Sequence, residues 1–244
     1  ARTQINLGVA AYFESSWSDA STWSLAGLES AVAAGNVVMS ANAAINSAEV
    51  LADQGSWQRA VELIDGAIRN FEAVDYRPGI GAALLFSAVP AMRRGDVDDA
   101  SDRLDRAERI LEDLGMAELL DDLATRRLEL DLLCGEFDLA RCARVVERLS
   151  REHPLHNRLL RVQGLGLLDE YPDEAAQLLA AARDTPASTD FEHALALQGS
   201  LQAWPQDGNA SEWASEIEDI CRRLEIERLP PLTARDLVGV SSRR

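Results

Sequence analysis

The chain has no lysine; all 24 of its basic residues are arginine. That excludes a phosphate loop built on the usual P-loop lysine. Cysteine is scarce, at Cys134, Cys142 and Cys221, with no CxxC spacing. An odd count with that spacing gives no disulfide framework and no zinc motif, and a reducing cytoplasm is expected. Aromatic residues make up 5%, too few for a chain rich in sheet. Positive charge is also short: 24 Lys+Arg stand against 41 Asp+Glu, a net charge of −17. Nucleic-acid surfaces need the opposite sign, and so do anionic membranes. No long apolar run occurs. The longest stretch without a charge, Ser30 to Ala48, is interrupted by Asn36, Asn42 and Asn46 and is too polar to span lipid.

What is present is alanine (38) and leucine (34) in 244 residues, a helix-forming composition. At 47% hydrophobic the chain can bury a core. Because it begins at Ala1 rather than Met, it is expected to be a piece of a longer polypeptide.

A shift of 40 residues aligns the chain with itself. Ser15, Gly55, Gly95 and Gly135 form one column; Ser16, Ser56, Asp96 and Glu136 form the next. Trp17, Trp57, Val97 and Phe137 follow, then Ala20, Ala60, Ala100 and Ala140. The first column suits a left-handed helix end. The second suits an N-cap that bonds free backbone N–H groups, with Glu136 the poorest. The third is an apolar plug opening each second helix. The alanine column marks the closest approach of two helices. Between these lie helical patterns such as Leu63, Ile64, Ala67, Ile68 and Phe71. Pro154 and Pro172 suit first-turn positions, and Pro90 interrupts a helix.

These residues resemble the tetratricopeptide (TPR) family: Asn6-Leu7-Gly8, Tyr12, Trp17 and Asp19-Ala20 in the first unit, Gln54-Gly55-Ser56-Trp57 and Ala60 in the second, Arg94-Gly95-Asp96 and Ala100 in the third. The resemblance implies an all-α, right-handed α-solenoid of about six antiparallel hairpins. The expected organisation is four in-register hairpins over 1–154, two degenerate capping hairpins over 155–228, and a loose tail over 229–244. The stretch Asn42 to Gly55, and the ending Arg223-Leu224-Glu225-Ile226 to Pro230-Pro231, resemble the C-terminal helical region of actinobacterial class III adenylate/guanylate cyclase–ATPase signalling proteins. That implies a non-catalytic regulatory array in a larger bacterial signalling or transcription-regulating protein.

Catalytic sets are not evident. His153 and His156 are too few for a closed metal site, and Pro154 separates them. Cys134 and Cys142 are expected to pack inside the fourth hairpin. Gly79/Gly81 and Gly164/Gly166 follow no strand, so close helix packing is their expected role. Asp96, Asp98, Asp99, Asp102 and Asp105 start a helix and are read as a solvated face. Neither a cofactor nor a metal is expected.

Partner binding is expected on the first helix of each hairpin, which lines the concave face in this family. The positions are Ile5, Val9, Tyr12 and Phe13; Asn42, Ile45, Asn46, Glu49 and Asp53; and Leu85, Val89, Met92 and Arg93. They suit an extended peptide or a helix, or neighbouring domains of the same polypeptide; a small-molecule or peptide effector is the alternative. An apolar stripe at this spacing serves equally as core. The clamp that TPR proteins use for chaperone tails matches only at Asn46, with Ile5, Val9, Ala82 and Phe86 elsewhere, so no such tail should bind. Arg141, Arg144, Arg148 and Arg151 share one helix face, either a solvated face or a docking stripe for an acidic segment.

Overall fold

A computed structural model describes residues 1–149, 153–185 and 189–241. Among them the secondary structure is helical throughout, with thirteen helices and no strand. The chain forms two compact units: residues 1–123 with 226–230, and residues 124–225 with 231–244.

The first unit contains α1 (Arg2–Phe13), α2 (Trp17–Ala33), α3 (Val37–Asp53), α4 (Trp57–Ala73), α5 (Arg77–Arg94) and α6 (Val97–Asp113), and the start of α7 (Ala117–Cys134). From α1 to α6 each helix packs on the next, and α1 also meets α3, as α3 meets α5. The turns share one geometry. Ser15, Gly35, Gly55, Asp75, Gly95, Gly115 and Gly135 all have positive φ, between 51° and 98°. Each turn closes with the two bonds of a Schellman motif. The Ser16 N–H donates to Ala11 O, Asn36 to Ala31, Ser56 to Leu51, Tyr76 to Phe71, Asp96 to Ala91, Met116 to Leu111 and Glu136 to Asp131, at 2.8–3.0 Å. Left-handed turns thus recur every 20 residues. Glycine meets that demand without steric cost, and Ser15 and Asp75 meet it at a modest one.

The cap column behaves differently from its sequence expectation. Ser16, Ser56 and Asp96 occupy N-cap positions, but none accepts a backbone cap bond. Their ψ angles are 67°, 52° and 72°. Asn36 and Asp138, at 91° and 100°, do accept such bonds, from Met39 and Arg141. The more extended backbone swings the side chain over the first turn. Ser16 instead donates to the Asp19 carboxylate at 2.9 Å.

Ala20, Ala60 and Ala100 are each 0% exposed. Ala140 breaks the column and is exposed. The helix there, α8 (Leu139–Arg148), is capped by Asp138 and begins two residues late. Two residues turn a helix by about 200°, so Cys142 takes the buried place at 1% exposure. The same slip leaves Phe137 ahead of the helix. Its ring lies where a side chain on Gly166 would stand. Cys134 is exposed, contrary to the expectation that it packs inside.

The second unit holds the rest of α7, α8, α9 (His156–Leu167), α10 (Pro172–Asp184), α11 (Asp190–Ala203), α12 (Ala210–Arg223) and α13 (Ala234–Ser241). Pro172 opens α10, whereas Pro154 lies in the turn before α9 rather than in it. Gly164 sits against Leu179 and Ala175, and Gly199 against Leu165, so these glycines set helix approach distances. Within the stretch expected to be a tail, α13 forms among the described residues. The Asp236 carboxylate accepts the N–H groups of Leu232 and Thr233 at 2.8 and 2.9 Å, at the start of α13. Ile226–Pro230 belongs to the first unit, where the Glu227 N–H donates to Gln54 O and the Arg228 guanidinium lies 5.3 Å from the Trp57 ring centroid.

Candidate functional site

The odd-numbered helices carry the chemistry of both units. In the first, register brings Tyr12 (α1), Asp53 (α3) and Arg93 (α5) together. The Tyr12 hydroxyl donates to one Asp53 oxygen and the Arg93 guanidinium to the other. Asp53 and Arg93 are 4% and 8% exposed. Burial, then the negative charges of Asp53 and Glu49, hold the Tyr12 pKa well above its ordinary value. The Trp17 indole stacks parallel on Tyr12 with ring centroids 5.9 Å apart.

The other expected groove residues divide by burial. Ile45, Leu85, Val89 and Met92 are 0–8% exposed. They are core, enclosed because α3 and α5 each pack between earlier and later helices. Asp53 and Arg93 are spent on each other. Ile5 is half-buried beside Gly27. What reaches solvent is Val9, Phe13 and Asn42, with Asn46 and Glu49 half-buried. The structure therefore leaves a polar strip on α3 and an apolar face on α1.

The second unit repeats the arrangement with a larger network. Arg161 on α9 is 1% exposed. Its Nη2 donates to Glu129 of α7 at 2.8 Å and to Glu192 of α11 at 3.1 Å. Arg126 pairs with Glu129 and Arg158 with Glu192, both at 2.9 Å. Burial alone would push both carboxyls up. At Glu129 the charges of Arg126, Arg161 and Arg158 outweigh it; at Glu192 those of Arg158 and Arg161 do so. Both carboxyls are held well below their usual range, Glu192 at about 2.

The sequence reading picked Asp53 and Arg93 as ligand groups and missed the second network. The signal was spacing. Asp53 and Arg93 are 40 apart, one repeat shift, and Tyr12 and Asp53 are 41 apart, one residue off that register. Glu129–Arg161 and Arg161–Glu192 are 32 and 31 apart, a shorter repeat that a fixed shift of 40 cannot register.

Arg141, Arg144 and Arg148 are exposed on α8; Arg151 lies outside the described residues. Arg141 pairs with Asp131 at 2.8 Å, so part of the stripe is already neutralised. Beneath it, burial and then the Asp138 charge push the Cys142 thiol up to about 11, and a thiol so protonated is a poor nucleophile. The acidic run on α6 is engaged by arginine: Asp99 with Arg103 at 2.9 Å, Asp102 with Arg106 at 3.7 Å. His153 Nδ1 accepts the Leu155 N–H within its turn. Among the described residues, no group of three or more His, Cys, Asp or Glu is placed to hold a metal ion, and no helix is long and apolar enough to cross a membrane.

No protein-family model matches the chain, and no curated protein matches it.

Proposed function

We propose that the chain is a non-catalytic protein-interaction module: a TPR-like, right-handed α-solenoid of 40-residue period that regulates a larger cytoplasmic bacterial signalling protein of the cyclase–ATPase or transcription-regulator kind. It acts by docking a protein segment, not nucleic acid or lipid. One observation carries the reading. Four equivalent turns, at Ser15, Gly35, Gly55 and Asp75, 20 residues apart, hold α1, α3 and α5 in a common register, so that one row of helices presents one continuous side. On that side Asn42, Asn46 and Glu49 of α3 remain reachable. Asparagine side chains can bond a peptide backbone as both donor and acceptor, which suits an extended segment. In the second unit, taken by itself, the exposed arginines of α8 suit an acidic segment.

Selection of a random peptide library on the immobilised chain tests this. An enriched peptide should bind with a micromolar Kd by calorimetry. Asn42→Arg and Asn46→Ala should each weaken it about tenfold, the loss of one or two hydrogen bonds. Enrichment no better than on a scrambled surface, or binding indifferent to both variants, would remove the reading.

A further inference from the structure

Most helical glycines of the first unit are crowded. A Cβ on Gly8, Gly27, Gly79 or Gly81 would stand 2.6–2.9 Å from an atom of another side chain. Gly66, on α4, differs: the nearest atom is Nη2 of Arg69, at 3.7 Å. Glycine is unfavourable inside a helix, and close helix packing does not explain it here. The space beside Gly66 belongs to the Arg69 guanidinium.

That guanidinium borders a cleft. α4 and α6 both pack on α5, and a cavity of about 180 Å³ opens among the three helices, the share of about six water molecules in the liquid. Ile68 and Leu84 give it an apolar part; Arg69 of α4 and Arg103 and Arg106 of α6 line the rest with Asp65 and Asp99. Arg103 spans the cleft and engages both aspartates: its Nε donates to Asp99 and its Nη1 to Asp65, each at 2.9 Å. Among the described residues Arg69 has no ion-pair or hydrogen-bond partner, and Arg106 meets only Asp102, at 3.7 Å. Both arginines are exposed. Three arginines against two aspartates give the lining a net charge of +1, within a molecule of −17. Guanidiniums gathered on one cavity repel, and an anion between them relieves that repulsion. Their forked N–H donors match the oxygens of a phosphate, which carries a charge near −2 and three strong acceptors. We propose that the α4–α6 cleft binds a phosphate group, held by Arg69 and Arg106, with Arg103 the fixed positive charge behind them. The site is separate from the peptide strip on α3 and does not depend on it.

Calorimetric titration of the whole chain with inorganic phosphate and with phenyl phosphate, at neutral pH and constant ionic strength, tests it. One site is expected, with a Kd of about 1 mM, the scale of a few charge-assisted hydrogen bonds. Arg69→Gln and Arg106→Gln should each weaken binding about tenfold. Both side chains are exposed, so folding is not at stake. Asp65→Asn removes a negative charge from the lining yet keeps an acceptor for Arg103, and should tighten binding about threefold. Arg141→Gln, on α8, should leave the affinity unchanged. Tighter binding of inorganic phosphate identifies the free ion as the ligand. Tighter binding of the ester identifies a phosphorylated small molecule whose apolar part meets Ile68 and Leu84. No saturation by either probe up to about 20 mM overturns the proposal. So does an affinity indifferent to both Arg69→Gln and Arg106→Gln, or one that Arg141→Gln weakens as much as they do.

Discussion

The two units solve the same packing problem with different means. The first is regular. Its helices after α1 run 17 or 18 residues, its turns repeat, and small residues fix the distances between helices. The second has helices of 8 to 14 residues beyond α7, and its described left-handed positions are Gly135 and Glu225. There an ionic network through Arg161 joins three odd helices. The comparison teaches that a repeat can hold register in its turns and its alanines, or surrender that regularity and hold it in a buried polar cluster. Among the described residues of the first unit, the fully buried charges are the Asp53–Arg93 pair. The second buries more charge but tolerates unequal helices, and buried ion pairs serve specificity better than stability.

The largest expected effect follows from breaking the second device. Arg161→Met leaves Glu129 and Glu192 facing each other without their shared partner, and should cost about 3–5 kcal/mol in denaturant unfolding. Its counterpart in the first unit is overpacking. Ala100→Leu forces a side chain into a fully closed helix contact and should cost about 1–3 kcal/mol. Ala140→Leu, the same column one repeat later, should fall within about 0.5 kcal/mol, because Ala140 is exposed. Equal losses at Ala100 and Ala140 would erase the two-residue slip. Smaller still is the cap contrast: Asp138→Ala should cost about 1 kcal/mol, and Ser56→Ala less, because Ser56 makes no cap bond.

Acid separates the units by another route. Glu129 and Glu192 have folded pKa values depressed below the ordinary 4.5. Their stabilisation is therefore complete above that pH and drains away as the carboxyls take up protons below it, down to about 2 for Glu192. Fluorescence of Trp204 and Trp213, in variants lacking the other tryptophans, should report loss of the second unit within that window. A flat response from pH 4.5 to 2 would contradict the assigned network.

Much of the first unit was legible. Gly55 and Gly95 announce left-handed turns, and Ala20, Ala60 and Ala100 announce closed contacts, because backbone sterics leave few alternatives at such places. The intervening turns at Gly35, Asp75 and Gly115 fell between the columns of a 40-residue shift; Asp75 in particular looks like ordinary surface. The second unit was opaque for a physical reason. Arginine and glutamate are surface residues by default, and only the fold shows that Arg161, Glu129 and Glu192 converge. The candidate groove suffered the converse error. Ile45, Leu85 and Met92 have the spacing of a ligand face, which is also the spacing of a core, and α3 and α5 are covered on both sides.

Hydrogen exchange resolved by mass spectrometry at neutral pH, on wild type and Arg161→Met, tests the central contrast most directly. Protection should collapse in α9 to α12 and stay within experimental scatter of wild type in α2 to α6. Equal loss of protection in both sets of helices would show one cooperative device where two are described here.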